Sequence, residues 1–442
     1  MIINFSVENF GSIKDKQTLS FLADKSIHLE DYYIIEPIKG LRLNKLALIY
    51  GANASGKTTI LKSLDFFREI CTEPFDIRTD KFHFEPFLFD EETPRKNTKF
   101  ELEFVQNGIR YCYYIELNKD CIVKEKLVNY NPNKAVVFER STDEKKELTF
   151  IKFGSKIPKK KSLEDNIQFF TLWNNTVIAG FLKANIDNYE LREVSNWIIH
   201  LNRVFYSNTN LENLSSLLIA GGYDKVNTNV KSKILKILNK ADFNITDVLI
   251  NHKKQSASSS LISSLKNDLS LKNNKLAQEI IETGEVVNVK TEFQHTINNK
   301  SFNLPYETES EGTKRYFELS GILYTLFTSE LNIQSVDELE SSLHPDLFRH
   351  FLLTYLVNSK NTSQLIVTTH NREILNSRDL FRDDVIWFTD KNDNAATELY
   401  SLADFDSSVV RDTSNVLNIY RSGKLGGVPN LGDYYIDLED EE

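Results

Sequence analysis

Two glycines, a lysine and a hydroxyl residue recur in Gly51-Ala52-Asn53-Ala54-Ser55-Gly56-Lys57-Thr58 at the spacing G-x-x-x-x-G-K-[ST]. Backbone N–H groups can wrap an anionic phosphate only where no Cβ intervenes, which is the use of Gly51 and Gly56. Lys57 is placed to reach the β- and γ-phosphates of ATP, and Thr58 to put its hydroxyl on Mg²⁺. Asn53, Ser55 and Thr59 belong to the same phosphate-binding set.

Binding is half of the chemistry. Hydrolysis also needs a carboxylate to hold the metal and a group to orient water, and Val336-Asp337-Glu338 offers both. Asp337 is the expected metal carboxylate and Glu338 the expected base. Further on, Gln364-Leu365-Ile366-Val367-Thr368-Thr369-His370-Asn371 is an apolar run ending in a histidine that can donate a hydrogen bond to the γ-phosphate. Upstream, Ser310-Glu311-Gly312 precedes a helical pattern, and a serine and glycine at a helix start form a second phosphate cradle. One chain hardly needs two cradles for one γ-phosphate. The second is therefore expected to close over the nucleotide of another subunit.

These residues require particular elements. Leu46 to Tyr50 reads as a buried strand feeding the loop, and Thr59 to Arg68 as the start of the helix after it. Leu331 to Val336 reads as the strand delivering Asp337, although Asn332, Gln334 and Ser335 interrupt the continuous apolar pattern of a buried parallel strand. Residues 1 to 22 read as one or two strands. Residues 98 to 153 read as a β-meander, whose clearest hairpin turns at Asn107-Gly108. Helical spacing follows in Ile178 to Ile186, Glu190 to Leu201 and Val230 to Leu238, while Lys253 to Lys275, rich in Ser, Asn and Lys, suits an exposed arm. The expected organisation is an N-terminal ATPase lobe over 1–160, a mainly helical insertion with its arm over 161–290, and a C-terminal lobe over 291–442.

Composition narrows the function classes. Forty per cent hydrophobic and 26% charged residues in 442 describe an ordinary globular chain with room for several domains. No apolar run is long enough for a membrane span and no signal-peptide pattern opens the chain, so a cytoplasmic location is expected. Cys71, Cys112 and Cys121 show no metal-binding or disulfide spacing. The net charge of −10 lacks the global footprint of a dedicated nucleic-acid binder, leaving a local patch at Lys156, Lys159, Lys160 and Lys161 as the place where DNA could touch. Six acids crowd Asp433 to Glu442. They could solubilise the chain or attract a basic partner.

The order of motifs resembles an ABC/SMC-type ATPase head, an α/β fold in which a parallel-sheet phosphate-loop core and an antiparallel β subdomain are split by a helical insertion. It is most similar to standalone bacterial ATPases of the overcoming-lysogenization-defect (OLD) type, including those of two-gene abortive-infection and anti-phage systems. Val7-Glu8-Asn9-Phe10-Gly11-Ser12-Ile13-Lys14 is similar to that group's opening motif, with Gly11 where arginine is common, and Leu417 to Pro429 to its closing one. The resemblance implies that Ser310 and Gly312 are the signature contacting ATP in trans, and that His370 is the switch histidine. It implies ATP and Mg²⁺ as cofactors and an ATP-dependent homodimer or higher oligomer. It also implies a separate effector encoded nearby, such as a nuclease or toxin, and a phage protein or DNA as trigger. Relatives often carry a Toprim nuclease, but Asp404-Phe405-Asp406 has too little chain around it for one, so the effector is expected elsewhere. The alternative is a RecF- or SMC-like DNA-gripping ATPase of genome maintenance. A transporter-type subunit is disfavoured by the length of the insertion.

Overall fold

The structure is a computed structural model that describes residues 1–157, 161–206, 214–221, 226–267, 275–329, 331–359, 362–406, 410, 415–429 and 431–433. In chain order its strands are β1 (Ile2–Glu8), β2 (Gln17–Ser20), β3 (Ile34–Ile38), β4 (Leu41–Asn44), β5 (Leu46–Gly51), β6 (Thr98–Gln106), β7 (Ile109–Leu117), β8 (Ile122–Tyr130), β9 (Lys134–Asp143) and β10 (Leu148–Phe153). The later strands are β11 (Asp247–Ser256), β12 (Glu285–Ile297), β13 (Lys300–Pro305), β14 (Asn332–Val336), β15 (Ser363–Thr368), β16 (Ile386–Lys391) and β17 (Thr397–Ser401).

Two sheets sandwich one helix. The core sheet has the order β14-β15-β5-β16-β17, parallel except for its last strand. Every residue of β5, β14 and β15 is buried, as expected of parallel strands covered on both faces. The second sheet, β10-β9-β8-β7-β6-β1-β2, is an antiparallel meander, and its β6–β7 hairpin turns at Asn107 and Gly108 with φ +47° and +73°. Between the sheets lies the helix Lys57–Thr72. Ile60, Leu61, Leu64 and Phe67 bury against Phe5, Phe100 and Tyr113 of the meander and against Ala47 and Ile49 of β5. Phe67 meets Phe5, Phe100 and Tyr113 at ring separations of 6.2, 6.1 and 5.7 Å. The period of two in β5 sends Leu46, Leu48 and Tyr50 to the opposite face, where the helices Glu311–Thr328 and Pro345–Asn358 complete the second core. This is an α/β head with a parallel phosphate-loop sheet, an antiparallel sheet and a helical segment, as the motif order implied.

Of the polar residues of β14, Asn332 has a physical explanation, while Gln334 Oε1 and Ser335 Oγ are buried without a hydrogen-bond partner among the described residues. The segment 201–206 lies parallel to β14, bridging Leu201 to Ile333 and Phe205 to Val336, so β14 is an interior strand. Asn332 Oδ1 accepts from Asn202 Nδ2 at 2.8 Å. Sequence pattern did not reveal this bridged segment, because it is short and follows directly on the helix Tyr189–Ile199.

The expected arm is partly a β-ribbon. β11 and β12 pair antiparallel over ten residues, Asp247↔Gln294 to Ser256↔Glu285, and β13 joins their outer side. Residues 268–274 lie outside the described residues, as do Lys159, Lys160 and nearly all of the acidic tail. Cys71, Cys112 and Cys121 are free thiols. Among the described residues no helix is long and apolar enough to cross a membrane.

Candidate functional site

The phosphate loop is shaped by contacts that only small residues permit. A Cβ on Gly51 would stand 2.4 Å from both Ser55 Oγ and Thr389 Oγ1. Gly56 has φ +114°, and a Cβ there would stand 2.2 Å from Thr397 Oγ1. Both glycines are required by their neighbours as well as by any ligand. Ser55 hydrogen-bonds Thr389 through its hydroxyl at 2.6 Å and donates its N–H to Ala52 O at 3.2 Å, so it braces the loop from within. Asn53 stands exposed at the crown.

Lys57 is 5% exposed, and its ammonium donates to Gly51 O and Ala52 O at 3.0 Å each. Burial lowers its pKa, while Glu338, Asp337 and Glu340 oppose that shift by favouring the cation. Thr58 Oγ1 donates to both oxygens of Asp337, at 3.0 and 3.2 Å. A hydroxyl beside a buried carboxylate is a hard-oxygen donor set of the kind Mg²⁺ takes. The Cβ-free cradle and this pair fit a metal-bound nucleoside triphosphate.

Thr368, at the end of β15, links the two acidic residues. Its hydroxyl donates to Asp337 Oδ1 and accepts from the Glu338 N–H at 2.8 Å. The sequence reading passed over Thr368 as part of an apolar strand. Its one distinguishing signal was a hydroxyl two residues before the histidine. Glu338 itself has φ +46°, a left-handed bend that turns its side chain out of the sheet line. His370 Nε2 stands 3.9 Å from Glu338 Oε1, and the His370 N–H donates to Glu340 Oε1. Burial first, and then Lys57, lower the His370 pKa, so its ring is neutral near pH 7 and offers one N–H donor. Glu340, also missed from sequence as a site residue, adds its charge to the cluster.

Ser310 caps the helix Glu311–Thr328, its hydroxyl accepting from Thr313 N at 3.1 Å. A Cβ on Gly312 would stand 3.0 Å from Ser342 O. Within this chain the contacts of Ser310 and Gly312 thus run to Thr313 and to the loop after Glu338. Ser310 is exposed and Gly312 half-buried, while Glu338 and His370 keep 41% and 35% of their side-chain surface exposed.

The two end motifs converge on the phosphate loop. Ser12 Oγ meets Thr59 Oγ1 at 3.1 Å and Thr397 Oγ1 at 2.8 Å, so the Thr59 hydroxyl is engaged with the opening motif. Gly11 has φ +55° and packs on Thr59, where a Cβ would approach the Thr59 methyl to 2.9 Å. From the other end, Gly427 (φ +65°) lies over Gly51, 3.5 Å from its Cα to an ideal Cβ, while its N–H donates to Asp390 Oδ2 at 2.8 Å. Asp404, the first residue of the Asp-x-Asp string, accepts from Ser401 N at 2.8 Å in a capping box. Among the described residues, Glu101, Glu103 and Cys112 form the one cluster of three metal-type donors, and Lys16 and Arg110 already neutralise its two carboxylates.

Residues 46–376 match the family described as "AAA domain, putative AbiEii toxin, Type IV TA system". The chain is also similar to endonuclease GajA of Bacillus cereus (strain HuB5-5), 26% identical over 381 residues, which cover 75% of this chain and 52% of that protein. It thus spans about half the length of that curated relative. Among solved structures it is similar to an SMC head bound to the C-winged helix domain of ScpA (11% identity, TM-score 0.40, 90% of this chain and 97% of that one). An SMC head domain from Thermotoga maritima is comparable (12%, TM-score 0.37, 90% and 98%).

Proposed function

The chain belongs to the AAA-domain family described as putative AbiEii toxin, Type IV TA system, and from that premise we propose that it is a Mg²⁺-dependent ATPase of an anti-phage defence system. It works as a sensor or scaffold, in the manner of the OLD-like ATPases, and controls a separate effector. The observation that carries this reading is the convergence of Thr58, Asp337, Thr368, Glu338 and His370 beside Lys57, from segments far apart in sequence.

Bound MgATP supplies the transferable phosphoryl group and a divalent charge. Gly51 to Thr59 would cradle the phosphates, Lys57 would compensate their charge, and Thr58 with Asp337 would hold the metal. Glu338 orients water and takes its proton, while the neutral His370 donates to the γ-phosphate. The exposed side of Glu338 and His370 is covered by Ser310 and Gly312 of a second copy, which keeps water other than the nucleophile away. The relative named an endonuclease illustrates the chemistry such an ATPase would govern. Asp404 serves as a helix cap, so the Asp-x-Asp string is not proposed as a nuclease site. The location is cytoplasmic.

Two measurements test this reading. Lys57→Ala is expected to lose nucleotide binding and hydrolysis together, whereas Glu338→Gln keeps binding and loses hydrolysis; wild-type turnover by Glu338→Gln would refute the assignment. Mixing Lys57→Ala with Ser310→Asp chains, the second of which keeps the helix cap and leaves Gly312 against its own loop, restores one good composite site per mixed dimer. No rescue in demonstrably mixed dimers would refute the trans arrangement.

A further inference from the structure

The helix that begins at Ser310 rests on the loop that follows Glu338 at two points. One is Gly312, whose place against Ser342 O leaves no slack for a side chain. The other is Arg315, one turn further on, whose guanidinium Nη2 reaches Glu338 O at 3.4 Å. That carbonyl also accepts from Ser341 N at 2.9 Å, so it closes the turn that carries the glutamate. Both Glu338 and Ser342 hold left-handed backbone, at φ +46° and +62°. Such a loop keeps its shape only where its surroundings enforce it.

Arg315 is poorly satisfied for a buried cation. Its Nε has no hydrogen-bond partner, and neither has the buried Oε2 of Glu340. Asp337, Glu338 and Glu340 surround it electrostatically and favour its charge against the cost of burial. An unspent donor and acceptor next to a long 3.4 Å contact describe a linkage with room to tighten, as hydrogen bonds at a reacting centre do on closure.

We propose that Arg315 is a positioning residue that couples the Ser310-Gly312 turn to Glu338 of the same chain. It rests on the reading that Ser310 and Gly312 close over the nucleotide of a second copy. When they do, the first turn of the helix shifts, Arg315 draws on the Glu338 carbonyl, and the Glu338 carboxylate is brought to its water. Engagement of one composite site thereby prepares the other, which makes hydrolysis cooperative in ATP.

The test replaces Arg315 with Met, which keeps the apolar stem and removes the donors, and with Lys, which keeps a charge that can reach one carbonyl. For Arg315→Met we expect nucleotide affinity within about threefold of wild type, kcat lower by roughly 100-fold, and a Hill coefficient for ATP falling to about 1. Arg315→Lys recovers part of kcat. In nucleotide-free protein, amide exchange of residues 339–343 speeds up in Arg315→Met while that of 317–326 stays as in wild type. Unchanged kcat, cooperativity and exchange would overturn the proposal, and so would an equal loss of affinity and kcat with faster exchange throughout the fold. Should wild-type protein hydrolyse no ATP, the ATPase reading fails, and exchange at 339–343 still decides whether Arg315 holds the loop. Arg315→Gln replaces the Met variant if that one does not fold.

Discussion

Replacing Thr368 with Val removes one hydroxyl from a fully buried position while preserving shape. That hydroxyl donates to Asp337 and accepts from the Glu338 N–H at 2.8 Å. A hydrogen bond to a charged group contributes about 1.5–3 kcal/mol, and leaving a buried N–H without its acceptor costs about 1–3 kcal/mol. Val adds apolar burial of about 0.8 kcal/mol for the extra methyl, so the net destabilisation is expected near 2–5 kcal/mol. Thr368→Ser keeps the hydroxyl and loses a methyl, which costs about 1 kcal/mol. Urea melts read the midpoints of the three proteins, and single-turnover hydrolysis reads the site. Because the Glu338 backbone loses its anchor, the Val variant is expected to hydrolyse ATP roughly 10- to 100-fold more slowly, while the Ser variant stays near wild type. If the Val variant matched wild type in both midpoint and rate, the idea that Thr368 sets the two acidic residues would be wrong. If the Ser variant lost as much stability as the Val variant, the packing of the methyl would matter as much as the hydroxyl's two bonds.

Gly427→Ala forces a side chain into a left-handed position over Gly51, and is expected to cost about 1–2 kcal/mol and weaken nucleotide binding, measured by thermal shift with and without MgATP. Gly423→Ala, whose own site is roomier, serves as the control. The buried Glu125 carboxyl, hydrogen-bonded by Tyr113 and Val177 and beside Arg140, is pushed up to about 7 by burial. The folded state therefore holds a proton that the unfolded state releases near pH 4.5. Its contribution to stability is complete below that pH and is lost as pH rises through about 7. Stability measured across this window is expected to fall with rising pH, and Glu125→Gln to flatten the slope; an unaltered slope would rule out Glu125 as its source.

Local chemistry was legible in the residues alone. Gly51, Gly56, Lys57 and Thr58 act through one turn of backbone, so their spacing carries the meaning, and the apolar run before them names the strand. Asp337-Glu338 and His370 were found at strand ends for the same reason. The Asn107-Gly108 turn followed from which residues tolerate positive φ. The cradle around that loop was not legible. Thr389, Thr397 and Gly427 touch it from segments more than 300 residues away and Ser12 reaches Thr59 from 47 residues before it; Thr389 and Thr397 are unremarked hydroxyls, and Ser12 and Gly427 no more than members of end motifs, until the sheets bring them together. Asn332 of β14 looked misplaced because its partner Asn202 lies in a segment bridged to the strand edge that leaves no periodic signal of its own. Thr368 and Arg315 meet the turn at Glu338, whose left-handed backbone they contact through long-range hydrogen bonds, and neither contact is visible in the chain order. Sequence alone named the candidate groups for a phosphate and a metal, because that choice depends on residue type and short spacing. The tertiary structure decided which groups orient them, because orientation is set by contacts between elements that the chain order keeps apart.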